Sequence, residues 1–299
     1  MLNNIIAKTL PYVPKSIVHV VAKRYVAGAN LEDAVRTVQQ LNKERIFCTM
    51  DVLGEFVDQR EPAEEATAMA SRMIDQVAKH DLKSGISVKL TSLGLDVENE
   101  FCYSNLKGLV EKARAAKRFL RIDMENSPYT DRTLDMYRRL RADGFSNVGV
   151  VIQAYMRRSV SDIASLAPLK TSVRLCKGIY NEDASIAYKG REEIRDNYKQ
   201  LLVSLFESGM HPAIATHDDV LIDFARDYIA KNKIDKERYE FQMLLGVREN
   251  KRDELVAEGH RMRIYVPFGQ DWYGYSLRRL KENPEIGGHI FWAMLGRDR

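Results

Sequence analysis

RIYVPFGQDWYGYSLRRLKEN, residues 263–283, is the stretch around which the rest of the chain reads. Ile264 to Phe268 form a short apolar run, Gly269 breaks it, and a helical segment carrying Arg278 and Arg279 follows. A strand that ends in a turn and feeds a basic helix places cations at the mouth of an α/β fold, where ligands bind. Two guanidiniums suit a carboxylate or a phosphate, because each presents a planar fork of donors. The same pair also reads as a solvated helix face, with Glu282 as an i,i+4 partner for Arg278. The other strands decide between the two.

Moving back along the chain, strands and helices alternate from residue 46 onward. Eight strand candidates stand out: Ile46–Val52, Ile86–Leu93, Phe119–Glu125, Val148–Ala154, Ser172–Lys177, Ala213–Thr216, Glu240–Leu245 and Ile264–Phe268. Most are β-branched or apolar runs, as strands covered on both faces should be. Between them lie helical patterns at Pro62–His80, Tyr103–Ala116, Asp131–Ala142, Ser159–Leu166, Glu192–Ser208, Val220–Lys231 and Lys251–Glu258, with Trp272–Glu282 following the last strand. Strand starts recur about every 24 to 41 residues, the size of a βαβ unit. Eight such units predict a closed (β/α)₈ barrel of the TIM type. A doubly wound open sheet is disfavoured, since neither a GxGxxG turn nor a GxxxxGK[ST] loop occurs.

The segment before the barrel is different. Residues 1–31 hold no Asp or Glu but carry Lys8, Lys15, Lys23 and Arg24. Ile17, Val20, Val21 and Tyr25 fall at helical spacing. A basic membrane contact or a transit peptide would use such a pattern, but a small helical cap on the main domain suits it better, because Arg and Ser are few. A further helix is expected over Leu31–Lys43. The division is therefore a cap over 1–45 and a barrel over 46–299.

Composition narrows the classes. The chain has 299 residues, 45% hydrophobic and 29% charged, with a net charge of +4. These values fit a globular protein with a full core and give no reason to invoke nucleic acid. Cys48, Cys102 and Cys176 are too few and scattered for a disulfide framework, so a reduced, cytoplasmic setting is expected. No apolar run is long enough to span a bilayer.

Barrel sites lie at the C-terminal ends of strands. Polar residues crowd there: Lys89, Asp123 and Glu125, Gln153 and Tyr155, Arg174 and Lys177, then Thr216, His217 and Asp218, then Gln242 and Tyr265. Burying so many ionisable groups is costly unless they pair or hold a ligand. His217 with Asp218 is a thin set for a metal, and none is expected. Lys89 and Lys177 leave open a Schiff-base lyase or aldolase.

Six motifs add a resemblance: LRIDMEN (120–126), IQAYMRR (152–158), VRLCKGIY (173–180), IATHD (214–218), YEFQMLLG (239–246) and YVPFGQDWYGYSLRRLKEN (265–283). In order and spacing, from about residue 46 to 285, the chain resembles the proline dehydrogenase family in its short monofunctional bacterial form. The last motif is long and specific; the others are jointly strong. The resemblance implies an FAD-dependent oxidoreductase that takes a hydride from C5 of L-proline to flavin N5 and makes pyrroline-5-carboxylate, the first step of proline catabolism. A hydroxyproline dehydrogenase is the nearest relative to weigh against it.

By the same resemblance, Arg174 lies beside flavin N5 and the C4 oxygen, Gln153 meets the pyrimidine side, and Met124 lines the cofactor. Lys177, Gly178 and Ile179 hold the FAD chain, with Gly178 allowing close backbone approach, and Thr216 and His217 serve the adenine-side phosphate and ribose. Glu282 orients the final helix and touches the FAD. Arg278, Arg279 and Lys89 clamp the substrate carboxylate, Asp123 orients Lys89, Tyr265 completes the pocket, and Tyr180 and Tyr275 wall the ring. Adjacent helical residues point about 100° apart, so the arginine pair can meet one carboxylate only if the last helix lies over the barrel mouth. A membrane quinone is implied as electron acceptor, with peripheral contact on the inner face of the membrane, and a separate pyrroline-5-carboxylate dehydrogenase as a partner. Cys176 stands where a small aliphatic residue is expected and reads as an inert buried thiol.

Overall fold

Eight parallel strands pair in sequence order and close on one another, β8 returning to β1. They are β1 (Phe47–Val52), β2 (Ser84–Val88), β3 (Leu120–Ile122), β4 (Val148–Gln153), β5 (Ser172–Cys176), β6 (His211–Ala215), β7 (Glu240–Leu244) and β8 (Met262–Phe268). The computed structural model describes residues 24–276; Arg278, Arg279, Glu282 and most of the proposed cap lie outside the described residues.

Around the barrel run α1 (Leu31–Lys43), α2 (Arg60–Lys79), α3 (Asn99–Ala115), α4 (Ser127–Ala142), α5 (Ser159–Leu166), α6 (Arg191–Glu207), α7 (Asp219–Lys231) and α8 (Glu249–Ala257). In α1 the buried residues Leu31, Ala34, Val35, Val38 and Leu41 form one apolar stripe. That stripe packs on β1 and β8. The slot in the outer ring that follows β8 is thus filled by a helix from before β1. α1, within the described part of the expected cap, packs directly on the barrel. The chain ahead of it crosses the C-terminal end of β8, where Ala27 N donates to Pro267 O at 2.9 Å and Gly269 N to Gly28 O at 3.0 Å.

The strand bounds shift from the sequence reading, β3 for instance ending at Ile122, and for three strands the reason is visible. β2 ends at Val88, and Leu90, Leu93 and Leu95 are buried in the turn after it. Their apolar run imitates a strand because α3 covers the turn: Cys102 Sγ reaches Leu90 O at 3.5 Å and Asn105 Nδ2 donates to Leu93 O at 3.1 Å. β6 begins two residues early because Pro212, which has no N–H to give, still fits near a strand start. β8 begins at Met262, since Arg263 points its charge inward to a partner rather than to water.

Most barrels of this type fill their interior with branched aliphatic side chains. Here the interior is polar, and glycine makes the room. A Cβ on Gly149 of β4 would lie 2.6 Å from Arg121 Nη1 and 2.4 Å from Ser172 O. Arg121 instead reaches across to donate to Val150 O, Ser172 O and Ser172 Oγ at 2.7–2.9 Å. Burial pushes its guanidinium down to about 9.

Candidate active site

Side chains from β2, β5 and β8 converge on one carboxylate at the end of β3. Asp123, immediately after β3, accepts from Ser87 Oγ at 2.6 Å, from Arg174 Nη1 at 2.6 Å and from the Tyr265 hydroxyl at 3.0 Å. Ser87 comes from the neighbouring strand, but Arg174 and Tyr265 come from β5 and β8, which do not pair with β3, so they reach Asp123 only across the closed barrel. The Arg174 guanidinium carbon also lies 5.3 Å from the centre of the Tyr265 ring, within cation–π range. Burial opposes the charge on Asp123, but Arg174 and Lys89 outweigh it and hold the carboxyl below its ordinary range. Burial and the Asp123 charge push the Tyr265 phenol well up, so it remains a donor.

Lys89 corrects an expectation. Its direct partner is Asp51 at the end of β1, at 2.8 Å, not Asp123. Burial works against the ammonium, yet Asp51 and Asp123 hold it above the ordinary lysine range. Asp51 is the harder of the two acids to ionise, being pushed up first by burial and then by Asp123. A lysine held as a cation is a poor Schiff-base nucleophile, because an imine forms from the neutral amine. Asp51 was absent from the sequence-derived site. The only signal for it is a single acid inside the apolar FCTMDV of β1.

A second shelf of residues lies on the β3, β4, β5 and β6 side. Gln153 closes β4, and its Nε2 donates to Glu125 O at 3.0 Å, which leaves the amide oxygen as an acceptor. Met124 is buried beside Asp123. Lys177 is half-exposed and lies 3.2 Å from Asp218. Asp218, buried at the N-cap of α7, also takes the Arg195 fork at 2.7 and 3.0 Å. Burial opposes its charge, but Arg195 and Lys177 hold it down at about 2.

Gly178 adopts φ +110°, and a Cβ there would fall 2.1 Å from the Tyr155 ring. The glycine is therefore required by packing beneath the loop, a reason the sequence reading did not supply. Ile179 is 45% exposed and Tyr180 half-buried on that loop. Thr216 Oγ1 accepts from Asp218 N at 3.2 Å, and His217 Nε2 accepts from Leu244 N at 3.0 Å, so both help to shape the turn after β6. Tyr275 is buried in an apolar cluster with Tyr25 and Val26, with Leu53 and Val247 packed against it. Burial pushes the Cys176 thiol up to about 11, which suits an inert residue.

Glu125 carries a testable consequence. Its carboxyl accepts from Thr91 N at 3.1 Å and from Thr91 Oγ1. Burial pushes it from 4.5 up to about 7. The folded state therefore holds this proton more tightly than the unfolded state does. The stability it contributes is complete below the unfolded value and is lost as pH rises through about 7. Glu125→Gln mimics the protonated form. Its stability advantage over the parent should widen by about 2–3 kcal/mol between about pH 5 and about pH 8. Urea unfolding at the two pH values checks this, and a constant difference would contradict it.

The family model described as proline dehydrogenase matches residues 34–289. Proline dehydrogenase 1 of Bacillus subtilis (strain 168) is 38% identical over 274 residues, which cover 92% of this chain and 90% of that one. The chain belongs to the proline dehydrogenase family. A second relative, proline dehydrogenase of Deinococcus radiodurans, is 34% identical over 278 residues, covering 92% of this chain and 90% of that one.

Among solved structures, proline utilization A from Bdellovibrio bacteriovorus, inactivated by N-propargylglycine, superposes with a TM-score of 0.83 at 26% identity. The match covers 89% of this chain and 33% of that one, so this chain spans about a third of that longer protein.

Proposed function

We propose that this chain oxidises L-proline to pyrroline-5-carboxylate with a bound FAD, the first step of proline catabolism, and passes the electrons to a quinone. The observation that carries the reading is Arg174, a buried cation on β5 fixed at the barrel mouth by Asp123 and Gln242. The residues present fit a flavin. They offer a fixed guanidinium, an amide oxygen on Gln153 whose nitrogen is already engaged, and the half-exposed ammonium of Lys177 for a phosphate. Met124, Gly178, Ile179, Thr216 and His217 would line the same groove, joined by Glu282.

When bound, FAD would accept the hydride from proline C5. The chain's own residues then orient and stabilise charge. Arg174 holds a positive charge where electron density accumulates, a preorganised contribution that needs no rearrangement during reaction. Lys89, kept protonated by Asp51 and Asp123, would bind the substrate carboxylate together with Arg278 and Arg279. Tyr265, tied to Asp123, would fix one edge of the pocket, and Tyr180 and Tyr275 would bound the ring. α1 packs on β1 and β8 and so fills the ring position after β8, which is compatible with an arginine pair that acts at the mouth.

Proline's amine must lose its proton before C5 gives up a hydride, so the anionic amino acid is the reacting form. Among the described residues no helix is long and apolar enough to cross a membrane. A cytoplasmic protein that touches the inner face of the membrane peripherally would reach a quinone, and a separate dehydrogenase would consume the product. The test is turnover of the FAD-loaded protein with proline and a soluble quinone, trapping the cyclic imine. Formation of the imine in step with quinone reduction is the expected result; its absence would overturn the proposal.

A further inference from the structure

Gln242 sits in β7, buried between two ionised groups. Its Oε1 accepts from Arg174 Nε at 2.7 Å, and its Nε2 donates to Glu240 Oε1 at 2.6 Å. Chemistry decides which way this amide points. A guanidinium only donates and an ionised carboxylate only accepts, so one of the two orientations satisfies both neighbours and the flipped one satisfies neither. Burial opposes the charge on Glu240, but Arg263 outweighs it and holds the carboxyl down at about 2. Glu240 is thus the ionised acceptor this arrangement needs.

Glu240 is itself fixed. Arg263 grips it with Nε at 2.7 Å and Nη2 at 3.0 Å, while Arg263 Nη1 donates to Cys48 O at 2.7 Å. A continuous chain, Arg263–Glu240–Gln242–Arg174–Asp123, therefore climbs the barrel interior from the strand starts to the mouth. A cavity of about 240 Å³ lies beside its lower end, lined by Arg121, His211, Glu240, Gln242 and Arg263.

We propose that Gln242 is a positioning residue for the reaction: backed by Glu240, it locks the Nε side of Arg174 and so fixes the rotation of that guanidinium at the mouth. The proposal rests on the reading that Arg174 faces the flavin. Without it, the hydrogen bonds that hold Arg174 among the described residues all leave Nη1, to Asp123 at 2.6 Å and Ser87 at 3.4 Å, beside the Tyr265 ring. A guanidinium held at one corner pivots, and a pivoting cation must reorganise as charge develops, which forfeits the benefit of preorganisation.

The test uses the FAD-loaded full chain and Gln242→Met, which fills similar space without hydrogen bonds. The preference of the site for reduced over oxidised flavin should fall about tenfold, a shift of about 30 mV to more negative potential for a two-electron couple. The kcat should fall about tenfold with KM for proline within about twofold, since the contact acts on the reacting state more than on substrate binding. FAD content should stay near full. An unchanged potential and kcat, whatever happens to the melting temperature of the apoprotein, would overturn the proposal.

If Gln242→Met does not fold, Gln242→Asn reads the same quantities, because it keeps an amide in the polar interior that is one methylene too short to span both partners. Arg174→Met separates the two levels. If it leaves the potential unchanged, both the flavin reading of Arg174 and this proposal fall. If it shifts the potential while the Gln242 variants do not, only this proposal falls.

Discussion

Arg174→Met should lower kcat/KM for proline by about 10²–10³, or about 3–4 kcal/mol of transition-state stabilisation. The substitution removes the cation beside the accepting group. It also takes the strongest favourable partner from Asp123, which is 9% exposed and would keep only Ser87, Tyr265 and the more distant Lys89. A second signature follows from the sign of the shift. Asp123 is held below its ordinary range in the folded parent. The stability from that depression is present above the unfolded value and is lost as pH falls through the folded value. Without Arg174 the carboxyl should rise, so the variant should be destabilised at neutral pH more than in acid. Steady-state kinetics and unfolding at two pH values check both parts. Parent-like kcat/KM would remove Arg174 from the site.

Lys89→Met should raise KM for proline about 10- to 100-fold, the usual value of a hydrogen bond between charged groups. It should also destabilise the fold by about 3–5 kcal/mol, because it strands Asp51 as an unpaired buried acid. The two effects can be separated. Adding Asp51→Asn removes the stranded charge and should restore most of the stability. It cannot restore substrate affinity, because the ammonium is still missing. Competitive inhibition by tetrahydrofuran-2-carboxylate reports affinity without turnover. If the double variant recovers inhibitor binding, Lys89 serves only to neutralise Asp51, and the substrate carboxylate must be sought at Arg278 and Arg279 alone.

The barrel was legible because its strands are covered on both faces, and such strands read as apolar runs recurring at the length of a βαβ unit. What marks the site in the sequence is the exception within those runs: Asp123 after LRI, Arg174 within SVRLC, Gln242 within EFQML, Tyr265 within MRIYVPF. The partners of these residues were not legible. Barrel closure brings β3, β5 and β8 to one point, and no spacing along the chain says that Asp123 takes Arg174 while Lys89 takes Asp51. Asp51 itself escaped notice because one acid at the end of a strand carries no periodic signal. The polar lower interior escaped for a related reason. The sequence leaves Arg263 just outside the last strand, and only the fold shows Glu240, 23 positions earlier on the neighbouring strand, holding it. Gly178 shows the opposite case: the residue was singled out, but what forbids a side chain there is Tyr155, which only the fold brings beneath it.

The central claim is a flavin held at the mouth of this barrel and reduced by proline. Its most direct measurement is the visible absorption of the FAD-reconstituted, washed protein, recorded without oxygen before and after adding L-proline. The account predicts retained flavin bands that bleach with proline and return on adding a quinone. A protein that keeps no flavin, or one whose bands ignore proline, would contradict it.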